Sequence, residues 1–292
     1  MPNHLAIQKG VPTSRLTTLK VGGATPELLT AQSSRGLGEA LERLSDSPPW
    51  LMLGAGSNLL IADEGVPPIL RLGEAFQESR TEGTSLICGG AMRGATALRF
   101  AEKAGLSGLE PFGGMPGSVG GWAATNAGPA GIDCLDRVAW VEARARTGGR
   151  TRRFLPHEIS RGYRTSPFRN AWVVEYVAFD LVAGKRSDVH QASRLARDHR
   201  LSSQPTGPSA GCIFRNPEGD AAGRLIDEAG FKGTTVGGAS VSNKHANFIL
   251  NSGGGTATEV WRLLHQVRHQ VQSQFGVRLG LEVETFGTFT HA

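Results

Sequence analysis

The chain has 292 residues, 39% apolar and 20% charged, with a net charge of +5. That length and composition suit a globular protein of two domains or one large one, and no apolar run approaches the roughly 18 residues of a membrane helix. The basic excess is small, and its densest run, residues 144–153, is broken by two glycines and holds no aromatic, so neither nucleic acid nor a membrane is expected as a partner.

Residues 1–14 read as a loose N-terminal leader without the apolar segment of a signal peptide, which points to the cytoplasm. Residues 16–23 read as a short extended segment closed by Gly22-Gly23, and 33–44 as a helix with Leu37, Leu41 and Leu44 on one face. Residues 50–53 form an apolar strand that runs into Gly54-Ala55-Gly56-Ser57-Asn58. That turn suits a phosphate held by backbone N–H groups, and equally a plain hairpin. A dinucleotide fold of the GxGxxG kind is excluded, because Leu59 takes the third glycine's place and 59–61 reads as strand where a helix must begin. Residues 68–72 and 84–89 are further strands, and 91–104 is a helix stopped at Gly105.

Residues 111–131 hold seven glycines and three prolines among Phe112, Met115, Val119, Trp122 and Asn126. Gly costs about 1 kcal/mol and Pro about 3 in a helix interior, so no ordinary helix is expected. The segment is either an irregular surface loop or a backbone brought close to a flat or anionic ligand. Beyond it, 137–143 and 151–155 make a hairpin. Tyr163-Arg164 lies in a loop, and 172–181 is a strand with Val173, Glu175, Val177, Phe179 and Leu181 alternating. A helix at 188–200 precedes a Ser/Pro-rich break at 201–210, the expected boundary between a domain at 15–200 and one at 201–292. In the latter, 211–217 is a strand end carrying Cys212. Residues 221–229 form a helix, 246–250 a strand, and 256–275 a long helix with Thr256 and Glu259 as a capping box. A last strand, 279–286, puts Glu282 and Glu284 on one side. Cys88, Cys134 and Cys212 form no CxxC pair, so no metal site and no disulfide framework is expected.

Four segments together resemble one family: residues 54–60 (GAGSNLL), 111–131, 163–168 (YRTSPF) and 211–217 (GCIFRNP). The family is UDP-N-acetylenolpyruvoylglucosamine reductase. The likeness continues through 239–251 (ASVSNKHANFILN) and 280–284 (GLEVE), in order over nearly the whole chain. It implies an α+β fold, the two-lobed FAD-binding fold of the vanillyl-alcohol-oxidase type, followed by an α/β substrate-binding domain whose last strand returns Glu284 to the active site. It implies a monomeric flavoenzyme with tightly bound, non-covalent FAD. NADPH would be the reductant and UDP-N-acetylglucosamine enolpyruvate the substrate, giving UDP-N-acetylmuramate for peptidoglycan synthesis. By resemblance, Gly54, Ala55, Gly56, Ser57, Asn58 and Leu59 hold the FAD pyrophosphate. Gly113, Gly114, Pro116, Gly117, Ser118, Gly121, Asn126 and Ala127 line the flavin. Tyr163, Asn216 and His245 contact the sugar nucleotide. About 40 residues separate Arg164 from Gln204, which resembles the family's shorter subtype, without an inserted tyrosine-bearing loop.

The resemblance assigns catalysis to Arg164, Cys212 and Glu284, with Glu282 the alternative to Glu284. Hydride addition to an enol ether needs the extra negative charge held on the conjugated carboxylate, and a fixed guanidinium matches it. Glu284 beside it must carry or share a proton. Cys212 stands where the family usually has serine, as the general acid. A thiol, with an ordinary pKa of about 8.5, is more acidic than an alcohol and still protonated at pH 7. Two competing readings are an FAD-dependent oxidase or dehydrogenase of the same fold and a flavin-binding protein without catalysis.

Overall fold

The computed structural model describes residues 4–45, 49–129 and 131–289. The chain divides into two units: residues 1–8, 28–55 and 69–202 form the first, and 9–27, 56–68 and 203–292 the second. Residues 15–27 and 56–68, expected in the first domain, thus group with the C-terminal part, as do 9–14 of the expected leader. Residues 1–3, of the expected leader, and Ala130, of the glycine-rich stretch, lie outside the described residues, as do 46–48 and 290–292.

In the first unit the strand Trp172–Asp180 runs down the middle of a five-stranded antiparallel sheet. It lies between Val138–Ala145 and Ser85–Gly89, with Thr151–Phe154 and Ser79–Glu82 at the edges. Its apolar side chains serve two cores, Val174, Val177 and Phe179 in one and Val173 in another. A strand covered on both faces leaves no wet side for a carboxylate, and Glu175, only 2% exposed, is met by Arg144 at 3.0 Å and by the Thr151 hydroxyl. Leu51–Leu53 and Ala24–Ala31 flank Ile69–Leu72 as parallel neighbours, and Leu5–Pro12 lies beyond Ala24–Ala31. Helix Ser34–Leu44 presents Leu37, Ala40, Leu41 and Leu44 to Leu29, Leu70 and Leu72.

Two expectations are corrected here. Leu5–Pro12 is a strand, not a loose leader. Its start is fixed by Gln32 N donating to His4 O at 2.8 Å and by Leu5 packing on the Leu29–Leu41 core. The glycine-rich stretch contains a true helix, Val119–Thr125. Ser118 caps it by accepting from Gly121 N at 3.2 Å. Gly120 N donates to Gly90 O, and a Cβ on Gly120 would lie 2.8 Å from that oxygen. Trp122 anchors the helix by stacking on Phe112, centroids 5.4 Å apart. The glycines lower propensity, and the close packing they permit outweighs that loss.

The second unit is built on an antiparallel sheet in the order Ser209–Cys212, Phe248–Asn251, Ala239–Val241, Thr235–Val236. Helices Ala257–Phe275 and Ala222–Glu228 share its core, which takes Val260, Leu264, Val267 and Val271 on one side and Leu19, Val21 and Leu60 on another. Those last three explain why the N-terminal segments belong here. Polar ties do the same. Thr18 Oγ1 donates to Ser209 O at 2.6 Å, and Asp63 accepts from Ala257 N and Thr258 N at the head of the long helix. Glu284–Phe286 pairs in parallel with Leu59–Ile61. Residues 279–283 are not regular strand, unlike the expectation for 279–286, because they bond irregularly to 213–215 instead. Helix Arg186–Ser203 runs on into the expected Ser/Pro break and stops before Gln204-Pro205.

Candidate active site

In the second unit three of the sequence motifs are hydrogen-bonded neighbours. Gly56 sits at φ +69°, and a Cβ there would lie 2.1 Å from Leu16 O, so only glycine fits. Thr18 N and Oγ1 both donate to Gly56 O. Asn58 O accepts from Glu284 N at 3.1 Å, while Asn58 Nδ2 donates to Glu282 O at 3.1 Å. Ile213 O, one residue from Cys212, accepts from Glu282 N at 2.8 Å and Val283 N at 3.3 Å. Gly211 packs towards Ser57 O, 4.0 Å from its would-be Cβ. The half-buried Cys212 and Glu284 are thus carried on segments tied to each other and to the Gly56–Asn58 turn, with Leu59 buried just beyond it.

Asn247 completes this arrangement and was not singled out from sequence. It is 3% exposed; its Oδ1 accepts from Phe214 N at 2.9 Å and its Nδ2 donates to Phe214 O at 2.7 Å. One amide thereby satisfies both backbone groups two residues past Cys212. Asn216 Oδ1 accepts from Ala222 N at 3.0 Å. His245 lies against Gly223, whose Cβ would come 3.0 Å from the ring, and accepts from Asn247 N at Nδ1. Asn216 and His245, two of the three residues expected at the sugar nucleotide, therefore gather at the start of helix Ala222–Glu228. Burial, aided by the Lys232 charge, lowers the His245 pKa below its ordinary value.

In the first unit Gly54 faces the head of helix Val119–Thr125. Its Cβ would fall 2.9 Å from Ser118 Oγ and 3.8 Å from Gly121 Cα. The turn glycine thus meets the motif expected to line the flavin, its missing Cβ leaving room for the Ser118 hydroxyl. Pro116 O accepts from Trp122 Nε1, Gly117 O from Gly94 N, and Ala127 N donates to Trp122 O. Gly113 and Gly114 have another neighbour: their would-be Cβ atoms lie 2.4 Å from Ser193 O and 3.1 Å from Arg197 Cγ, on helix Arg186–Ser203. That helix accounts for both glycines. The Asn126 side chain is likewise committed internally, at 1% exposure. Its Oδ1 accepts from Leu135 N, and its Nδ2 donates to Gly162 O at 2.9 Å and Asp133 Oδ2 at 3.2 Å.

Arg164 occupies a tight turn in which Gly162 and Thr165 exchange backbone bonds, at φ +53°. Its Nη1 donates to Asp133 Oδ1 at 3.1 Å and Asn126 O at 3.4 Å, and its Nη2 to Gly128 O at 2.6 Å. Tyr163 is exposed, its ring 5.0 Å from the Arg164 guanidinium. Burial raises the Asp133 carboxyl above its ordinary pKa and the Arg164 charge opposes that rise. Burial also pushes the Cys88 thiol up to about 12 and the Cys134 thiol further, so neither is a ready acid. Among the described residues no group of three metal-ligating side chains occurs, and no helix is long and apolar enough to cross a membrane.

Two features fit a bound phosphate-bearing cofactor. One is the head of helix Val119–Thr125, where Gly54 sets no Cβ against Ser118 and Gly121. The other is Thr17, 7% exposed and in contact with the Gly56 turn, whose hydroxyl has no hydrogen-bond partner among the described residues. Such a group needs a partner from elsewhere.

Residues 203–286 match the family model described as UDP-N-acetylenolpyruvoylglucosamine reductase, C-terminal domain. The reductase of Heliobacterium modesticaldum is 39% identical, over 94% of this chain and 89% of its own. Reductase 2 of Symbiobacterium thermophilum is 38% identical, over 96% and 92%. The solved structure of UDP-N-acetylenolpyruvylglucosamine reductase from Thermus caldophilus matches with a TM-score of 0.82 at 34% identity, covering 97% of this chain and 98% of that one. The chain therefore belongs to the UDP-N-acetylenolpyruvoylglucosamine reductase family, as an oxidoreductase with that family's α+β fold.

Proposed function

We propose that this chain reduces UDP-N-acetylglucosamine enolpyruvate to UDP-N-acetylmuramate at the expense of NADPH, supplying a peptidoglycan precursor as a cytoplasmic monomer. The observation that carries the reading beyond family membership is the bonded assembly of the Cys212 segment, the Glu282–Glu284 segment and the Gly56–Asn58 turn. A nucleotide-binding protein without catalysis has no use for a thiol and a carboxyl group fixed beside the same turn.

FAD is the cofactor this reading requires, and the chemistry it supplies when bound is hydride donation from N5. Gly54, Ala55, Gly56, Ser57, Asn58 and Leu59, with the Thr17 hydroxyl, would hold its pyrophosphate. Pro116, Gly117, Ser118, Gly121 and Ala127 would offer backbone to its ring. Asn126 serves that wall from within, by fixing the loop.

The remaining steps belong to side chains. Arg164 holds the substrate carboxylate and the negative charge that develops on it. Glu284, sharing a proton, supports the same oxygens, since an ionised carboxylate there would repel them. Cys212 Sγ–H donates a proton to the carbon next to the carboxylate, and the thiolate regains one from solvent. Tyr163, Asn216 and His245 bind the sugar nucleotide, within a substrate domain formed mainly by residues 201–292.

The test is direct. The purified protein should carry flavin absorbance, take up one hydride per flavin from NADPH, and consume NADPH continuously when UDP-N-acetylglucosamine enolpyruvate is present. A colourless protein that cannot be loaded with FAD, or a flavoprotein inert to this substrate, contradicts the proposal.

A further inference from the structure

We propose that Asp133 is the positioning residue for Arg164, locking its guanidinium in the place where it meets the substrate carboxylate. The inference rests on the reading above. Arg164 is one of three non-glycine residues at positive φ among those described, with Lys20 and Asn126. A long side chain in that region is strained and persists only where its surroundings over-determine it. Here they do. The Asp133 carboxylate accepts Arg164 Nη1 on Oδ1 and Asn126 Nδ2 on Oδ2. Asn126 Nδ2 in turn donates to Gly162 O, at the base of the turn that carries Arg164. The guanidinium and the backbone beneath it are therefore gripped through one carboxylate, itself only 23% exposed.

The chemistry of the pair demands a carboxylate. Both partners of Asp133 are donors, so an acceptor-only group satisfies both, whereas an amide must turn its NH₂ towards one of them. Asp133→Asn is nearly isosteric and breaks the bracket on one side.

The experiment uses the FAD-loaded enzyme and the variants Asp133→Asn, Asp133→Glu, Arg164→Ala and the Asp133→Asn/Arg164→Ala double. Displacing a substrate-orienting group by about 1 Å costs on the order of 100-fold. Asp133→Asn is expected to slow re-oxidation of the reduced enzyme by UDP-N-acetylglucosamine enolpyruvate by about that factor. It should also weaken calorimetric binding of UDP-N-acetylmuramate, which bears the same carboxylate. Flavin content and reduction by NADPH should stay at the parental level, and Asp133→Glu should recover part of the loss. In the Arg164→Ala background Asp133→Asn should add no more than about 2-fold, because residues acting as a unit are not additive. Parental re-oxidation in Asp133→Asn, full additivity in the double variant, or equal loss of both half-reactions overturns the inference. A parent enzyme that holds FAD and is not re-oxidised by this substrate overturns the functional reading, and this inference with it. Loss in Arg164→Ala without loss in Asp133→Asn refutes only the inference.

Discussion

Replacing Asn247 tests how the Cys212 segment is held. The amide bonds both the N–H and the C=O of Phe214, and both residues are at most 3% exposed. Asn247→Ala removes a donor and an acceptor at once and leaves two buried backbone groups without partners. Each such group costs about 1–3 kcal/mol, so the variant should lose roughly 2–5 kcal/mol of local stability. The neighbouring bond from Ile213 N to Asn247 O is backbone to backbone and survives, so the damage should centre on Phe214. Hydrogen exchange at the Phe214 amide is the assay. A loss of 2 kcal/mol is about a 30-fold faster exchange, with little change in strand Trp172–Asp180 of the other unit. Exchange at the parental rate, together with a denaturation midpoint unmoved within about 0.5 kcal/mol, would refute the bracket.

Two further outcomes are expected. Glu175→Ala strips Arg144 of its partner in a pair whose side chains are 2% and 12% exposed, and should cost about 3–5 kcal/mol. Glu175→Gln should cost less because it can still accept from Thr151, and chemical denaturation in which the two variants match the parent contradicts this. The His245 pKa is lowered by burial, so the folded chain prefers the neutral ring. Its contribution is complete above the ordinary value of 6.5 and is lost as pH falls towards and through the folded value, because the unfolded chain takes up the proton first. Urea midpoints measured against pH should fall less steeply below that value in His245→Gln, and identical slopes in parent and variant would contradict the sign.

What could be read from the sequence follows the range of the interactions concerned. Helix Ala257–Phe275 was legible to within a residue, because its capping box and apolar stripe are local signals. The helix Val119–Thr125 was not, since glycine's cost is local while the contacts of Gly120 with Gly90 and of Trp122 with Phe112 are tertiary. The strand Leu5–Pro12 leaves no signal for a related reason: half of it is exposed, none of it is buried, and an edge strand of that kind shows no buried alternation. Arg164 shows in the sequence by itself only as a loop residue. Only the family resemblance raised it, and the structure adds the strained turn and the three acceptors around it. Asp133 and Asn247 left no signal, because their partners lie 31 and 33 residues away and hydrogen bonds across that distance have no period to detect.

In the proposed reaction Cys212 supplies the proton. Stopped-flow measurement of the two half-reactions in Cys212→Ala and Cys212→Ser tests that step. Reduction of the flavin by NADPH should proceed at the parental rate in both variants. Re-oxidation by UDP-N-acetylglucosamine enolpyruvate should fall by about 100- to 10,000-fold in Cys212→Ala, the usual worth of a positioned general acid, and should persist in Cys212→Ser. Re-oxidation of Cys212→Ala at the parental rate would contradict the assignment.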